Sequence, residues 1–137
     1  MTPLTLELAR RCLDAAEETA RERGLALTFA AVDAAGHLVA LHRMDGAPWI
    51  TPDVALGKAW TAAAYAAPSA TQGDKMRDLP VFSTSLSVVT GGRFTPQIGG
   101  LPIADGDTPL GAMGASGATG QEDEDVVRAA IERVFGG

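Results

Sequence analysis

The sequence predicts an α/β (α+β) fold in which a small five-stranded sheet is covered by helices on both sides. Three observations lead there. The first and last segments each carry one apolar stripe at helical spacing. A middle helix, rich in alanine, is apolar nearly all round, as a buried helix must be. Between them lie short runs that are apolar on both faces, which fits strands covered on each side. At 137 residues, one domain over 1–137 is expected, long enough to bury about two thirds of its unfolded surface.

The first helix is expected over residues 3–23. Thr2 suits the N-cap and Pro3 the first helical position, where a missing N–H costs nothing. Leu6, Ala9, Leu13, Ala16 and Ala20 make its apolar stripe, and Gly24 its stop. Two strands follow, over 27–32 and 37–44, joined by a turn that Asp33 opens and Gly36 closes. The alanine-rich helix is expected over 51–66, with Thr51 as N-cap, Pro52 at the first position and Pro68 beyond its end. A short helix over 69–77 and a loop come next. Strands over 93–98, 101–104 and 110–116 complete the sheet. A last helix over 120–135 starts on Thr119 and Glu122, at capping-box spacing. The acidic run from Glu122 to Asp125 favours the positive end of its dipole.

Composition narrows the function classes. Hydrophobic residues make up 46% and charged residues 20%, which excludes a disordered chain. The net charge of −6, with scattered Lys and Arg, repels phosphate backbones and anionic lipid, so neither nucleic acid nor membrane is an expected partner. No apolar run approaches the ~18 residues of a membrane span, and no secretory leader is visible, so a cytoplasmic location is expected. Cys12, the single cysteine, reads as a packing residue. The expected partner is a small molecule, another copy of the chain or another protein, and the alanine-rich helix is buried either in the domain or in an oligomer interface.

Candidate site residues come from two places. Lys58, Thr61 and Tyr65 are polar exceptions on the alanine-rich helix and share one face. Lys58 can bind a carboxylate, act as a base, or pair with an acid. Thr61 and Tyr65 can orient a ligand. Gly99 and Gly100 can present backbone N–H groups to an anion or a carbonyl, or form a bulge. Arg43 offers a second cation or a strand-edge ion pair. Gly111, Gly114 and Gly117 suit a strand packed tightly under a helix. The glycines do not match a dinucleotide fingerprint, and Ser116 does not sit in a nucleophile elbow. No protein-bound metal is expected, because no Cys/His or calcium-loop spacing occurs.

Several of these segments, in order and spacing, resemble the GlcG/HbpS family. The matching motifs are Ala31-Val32-Asp33 with Gly36-His37-Leu38-Val39, then Arg43-Met44-Asp45-Gly46-Ala47, then Lys58-Ala59 with Thr61-Ala62. Gly99-Gly100 with Pro102-Ile103, Gly111-Ala112 with Gly114 and Ser116-Gly117, and the acidic start of the last helix follow. The resemblance implies a profilin-like fold with an antiparallel five-stranded sheet, helix-mediated homo-oligomers, and a small ligand, haem or a related tetrapyrrole. His37 and His42 are then the candidate haem-iron ligands, each with a plain alternative as a turn-side or sheet histidine. The competing reading is a cofactor-independent isomerase, cyclase or lyase acting on a carboxylate or carbonyl substrate, with Lys58, Thr61 or Tyr65 as catalytic candidates. A third is an accessory protein with a vestigial pocket.

Overall fold

The computed structural model describes residues 3–136. In chain order the elements are α1 (Leu6–Glu22), β1 (Thr28–Asp33), β2 (Leu38–Arg43), α2 (Thr51–Tyr65), α3 (Ser69–Met76), α4 (Pro80–Val89), β3 (Gly100–Asp105), β4 (Thr108–Ser116) and α5 (Gly120–Phe135). The sheet has four strands, not five, in the order β2-β1-β4-β3, with every neighbour antiparallel. Helices α1 and α5 pack together on one face, and α2 covers the other. Alternation along β1 serves both layers. Phe29 and Ala31 enter the core under α1 and α5, while Ala30 and Val32 meet Ala55, Ala59 and Ala62 of α2.

The missing strand has a physical cause. Residues 93–98 need no ladder because side-chain hydroxyls satisfy their backbone. Thr95 N–H donates to Thr61 Oγ1 (2.8 Å) and Phe94 N–H to Thr90 Oγ1 (3.0 Å). Ser87 donates to the Phe94 carbonyl at 3.0 Å, and Ser69 to that of Gln97. The segment is a clasped loop. The expected loop before it contains α4 instead, whose start is marked by Pro80 in the first helical turn.

Helix ends refine the expected boundaries. Thr2 lies outside the described residues, and α1 is capped by Thr5, whose side chain accepts from Leu8 N–H. Its end is a Schellman turn. Leu25 N–H reaches the Ala20 carbonyl at 2.9 Å, Gly24 N–H reaches Arg21 at 3.1 Å, and Gly24 has φ of +69°. Thr51 does not cap α2; the N-cap is Ile50. The Thr51 hydroxyl donates to the Pro48 carbonyl at 2.7 Å, so it must accept from the buried Thr28 hydroxyl 2.7 Å away. The capping box of Thr119 and Glu122 is formed in both directions. Asp33 accepts from the N–H groups of Ala35 and His37, which fixes the β1–β2 turn. Burial pushes the Cys12 thiol up to about 11, so it is inert packing.

Glycine sets how closely α2 approaches the sheet. A Cβ on Gly114 would stand 2.7 Å from the Ala59 nitrogen and 3.2 Å from Lys58 Cβ. The helix therefore lies against β4 backbone on a floor of alanine and glycine. Gly114→Ala should lower stability by about 1–3 kcal/mol through overpacking. A reduced urea midpoint with an unchanged m-value would be the expected record.

Candidate functional site

Small side chains between α2 and β4 let one long polar side chain run through the apolar layer. Lys58 leaves α2 only 3% exposed and ends beside β4 and the first turn of α5. Its ammonium donates to the Ala115 carbonyl at 3.0 Å and to Asp123 Oδ2 at 3.1 Å. Asp123 is 1% exposed, and its other oxygen accepts Ala118 N–H at 3.0 Å. Burial pushes the Asp123 carboxyl above its ordinary value, against the opposing pull of Lys58 and the Ala118 N–H. An ammonium has three donors, and these partners use two.

The pair stands in the wall of a cleft of about 490 Å³. Val54 and Lys58 of α2, Asp74 and the neighbouring Arg77 at the end of α3, Gln97 and Ile98 of the loop, Ser116 and Asp123 all line it. Arg77 is exposed and held to Asp74 at 3.0 Å. The cleft thus offers two cations, two carboxylates and a hydroxyl around a small apolar floor. That chemistry suits a polar, charged organic molecule.

The glycine pair closes over the lysine. Gly99 has φ of +140°, and a Cβ there would stand 2.7 Å from Lys58 Nζ. The N–H of Gly100 donates to Ser69 Oγ at 2.9 Å, and the Gly99 carbonyl accepts from Ala115 N–H at 3.1 Å. The pair therefore makes room for Lys58, and the Gly100 N–H is already engaged within the chain.

The face shared by Lys58, Thr61 and Tyr65 exists, but only Lys58 lines the cleft. Thr61 is fully buried and clasps the loop through Thr95 N–H. Tyr65 is exposed and meets Phe94 edge-on, with ring centroids 6.2 Å apart. Arg43 does not join them. It ends the edge strand β2, with β1 and β4 between it and β3, and lines a separate hollow with Glu17, Arg21, Met44 and Asp45. His37 sits beside the β1–β2 turn, its side chain 81% exposed and its Nδ1 3.6 Å from Asp33. It lines a second hollow of about 500 Å³ with Leu38, Leu56, Trp60 and Arg93. His42 is half-buried on β2 near Glu17 of α1.

Sequence reasoning missed Asp123 and Arg77. Asp123 reads as one acid of a solvated run, yet it is the one that turns inward beneath Lys58, 65 residues away in the chain. A cue existed: Asp123 follows the capping-box glutamate, one position further round the helix, beside the inward-facing Val126 and Val127.

A four-stranded antiparallel sheet between helical layers, with a polar cleft lined by Val54 and Lys58 of α2, defines a small α+β domain. The family model described as haem degrading protein HbpS-like matches residues 4–132, and the chain belongs to that family. The ORFY protein of Klebsiella pneumoniae superposes with a TM-score of 0.89 at 27% identity, covering 99% of this chain and 92% of that one. A double mutant of Streptomyces reticuli HbpS gives 0.85 at 30% identity, over 97% and 88% of the two chains. The PduOC–heme complex gives 0.85 at 24% identity, over 95% and 94%, a likeness of fold. No helix among the described residues is long and apolar enough to cross a membrane.

Removing one member of the buried pair should cost far more than neutralising both. Lys58→Met alone is expected to destabilise by about 3–5 kcal/mol, because a buried carboxylate loses its counter-charge. Adding Asp123→Asn should recover part of that loss, since the amide keeps an oxygen for Ala118 N–H. Urea denaturation of the single and double variants reads the difference directly.

Proposed function

We propose that this chain is a small-ligand-binding protein that receives an organic anion in the Lys58–Asp123 cleft. The observation that carries the reading is the unused third donor of the Lys58 ammonium, in the wall of a cleft whose other cation is Arg77. A carboxylate placed there gains a charge-assisted hydrogen bond in a poorly solvated site. The enzyme alternative, an isomerase, cyclase or lyase acting on a carboxylate or carbonyl substrate, rests on Lys58, the one of its candidates Lys58, Thr61 and Tyr65 that lines the cleft.

Haem, the ligand that the family description implies, has a different fit. Haem iron takes His, Cys, Met or Tyr, and none of these lines the Lys58 cleft. The second hollow fits better. His37 would supply the imidazole, Leu38, Leu56 and Trp60 the apolar wall, and Arg93 a partner for a propionate. Asp33 beside Nδ1 would orient that ring and leave Nε2 for iron. Bound there, haem would supply redox and oxygen chemistry, while the chain's own residues hold and orient it.

Two titrations test these readings separately. Hemin should give a Soret shift that His37→Ala abolishes; no shift in the wild type removes haem. Short-chain mono- and dicarboxylates should raise the melting temperature of the wild type. Arg77→Ala should weaken that effect, and the double variant Lys58→Met/Asp123→Asn should abolish it. A panel without any shift removes the anion reading.

The alanines of α2, the helix that the sequence marks as a possible oligomer contact, pack against the sheet of the same chain, and the expected homo-oligomer is supported instead by α4, which buries none of its residues and leaves Val81 80% and Val89 81% exposed. An apolar face of this kind calls for cover. Val81→Glu/Val89→Glu should lower the mass measured by analytical ultracentrifugation. A monomeric wild type would remove the oligomer from the reading.

A further inference from the structure

One polar group in the wall of the Lys58 cleft has no task within the chain. Ser116 ends β4, is only 9% exposed and lines the cleft. Alternation along β4 sets its direction. Ala112 and Gly114 face α2, while Met113 and Ala115 face the layer of α1 and α5, so Ser116 falls on the α2 side. Its hydroxyl takes part in no hydrogen bond among the described residues. Thr28, its partner across the β1–β4 pair, has its own hydroxyl donated to Thr51. A buried hydroxyl without a partner is costly, and one that opens onto a cleft can be paired from there.

The backbone places this hydroxyl next to the lysine. The Lys58 ammonium donates to the Ala115 carbonyl at 3.0 Å, and the carbon of that carbonyl is bonded to the Ser116 nitrogen. One peptide unit therefore separates the unused ammonium donor from the unpaired hydroxyl. The two groups differ in kind. The ammonium only donates and carries charge, so it suits a carboxylate oxygen. The hydroxyl donates or accepts and carries no charge, so it suits a neutral oxygen, carbonyl or hydroxyl. A second carboxylate is poorly served there, because Asp123 already places negative charge 3.1 Å from the ammonium.

We propose that Ser116 is a specificity-determining residue of this cleft, which selects carboxylates bearing an oxygen on the adjacent carbon, the 2-hydroxy and 2-oxo acids. The inference rests on the anion-binding reading above and narrows it. The carboxylate meets Lys58, with the exposed Arg77 at the mouth of the cleft, and the neighbouring oxygen meets Ser116. Oxygens on adjacent carbons stand close enough together to be taken by two groups one peptide unit apart. A plain carboxylate covers the hydroxyl without pairing it, and that penalty sets the preference.

The test compares propionate, lactate and pyruvate, acids of equal carbon count, by chemical-shift titration of the isotope-labelled full chain. Lactate, pyruvate or both should bind about three- to tenfold more tightly than propionate. Ser116→Ala should bring the three to equal affinity while leaving that of propionate unchanged. Without ligand it should melt like the wild type, since the hydroxyl gives up no bond in the chain. Equal affinity of the three acids for the wild type overturns this inference and leaves the anion reading standing. A preference that survives in Ser116→Ala overturns it as well. Binding by none of the three also overturns it, and the anion reading falls with it only if the wider carboxylate panel is silent too.

Discussion

The ion pair of Lys58 and Asp123 joins the two layers of the molecule. Helix α2 lies on one face of the sheet and α5 on the other, and this pair, with the Ala115 carbonyl between them, ties both to the end of β4. Desolvating two charges is expensive, and a pair like this repays the cost only when its remaining donors and acceptors are filled. The Ala118 N–H fills one acceptor. Gly99 and Gly114 leave room for the lysine stem, and Gly100 for the Lys58 backbone. The polar cleft is where this arrangement reaches the surface.

Much of the architecture could be read from local chemistry. The Thr119–Glu122 capping box, the Asp33 turn and the Gly24 stop are set by near neighbours in the chain and appear where expected, whereas Thr51 does not cap α2 and Thr5 caps α1. The absence of the expected fifth strand was not legible. Residues 93–98 look extended, and what decides against a strand is a set of hydroxyls, of which Thr61 and Ser69 lie some thirty residues upstream. Helix α4 was hidden for a different reason: it buries nothing, so no periodic apolar stripe announced it.

The candidate site was half legible, and along the same line. Lys58 stood out because an alanine-rich helix makes any charge conspicuous. Its partner did not, because Asp123 is one acid among four and only the rotation of α5 separates it from the others. Residues that act through the fold carry no local signature.

The hydroxyl-clasped loop has a consequence for the cleft beneath it. A strand is held through a ladder of backbone bonds, whereas residues 93–98 are held through side-chain hydroxyls, the buried Phe94 and close packing of Thr95 and Pro96 on Gly57 and Gly73. The cleft therefore has one wall built by backbone, of helix and sheet, and one built by side chains, where Gln97 and Ile98 stand. A substitution at Thr61, Ser69 or Ser87 would thus reshape the cleft without touching any residue that faces a bound molecule.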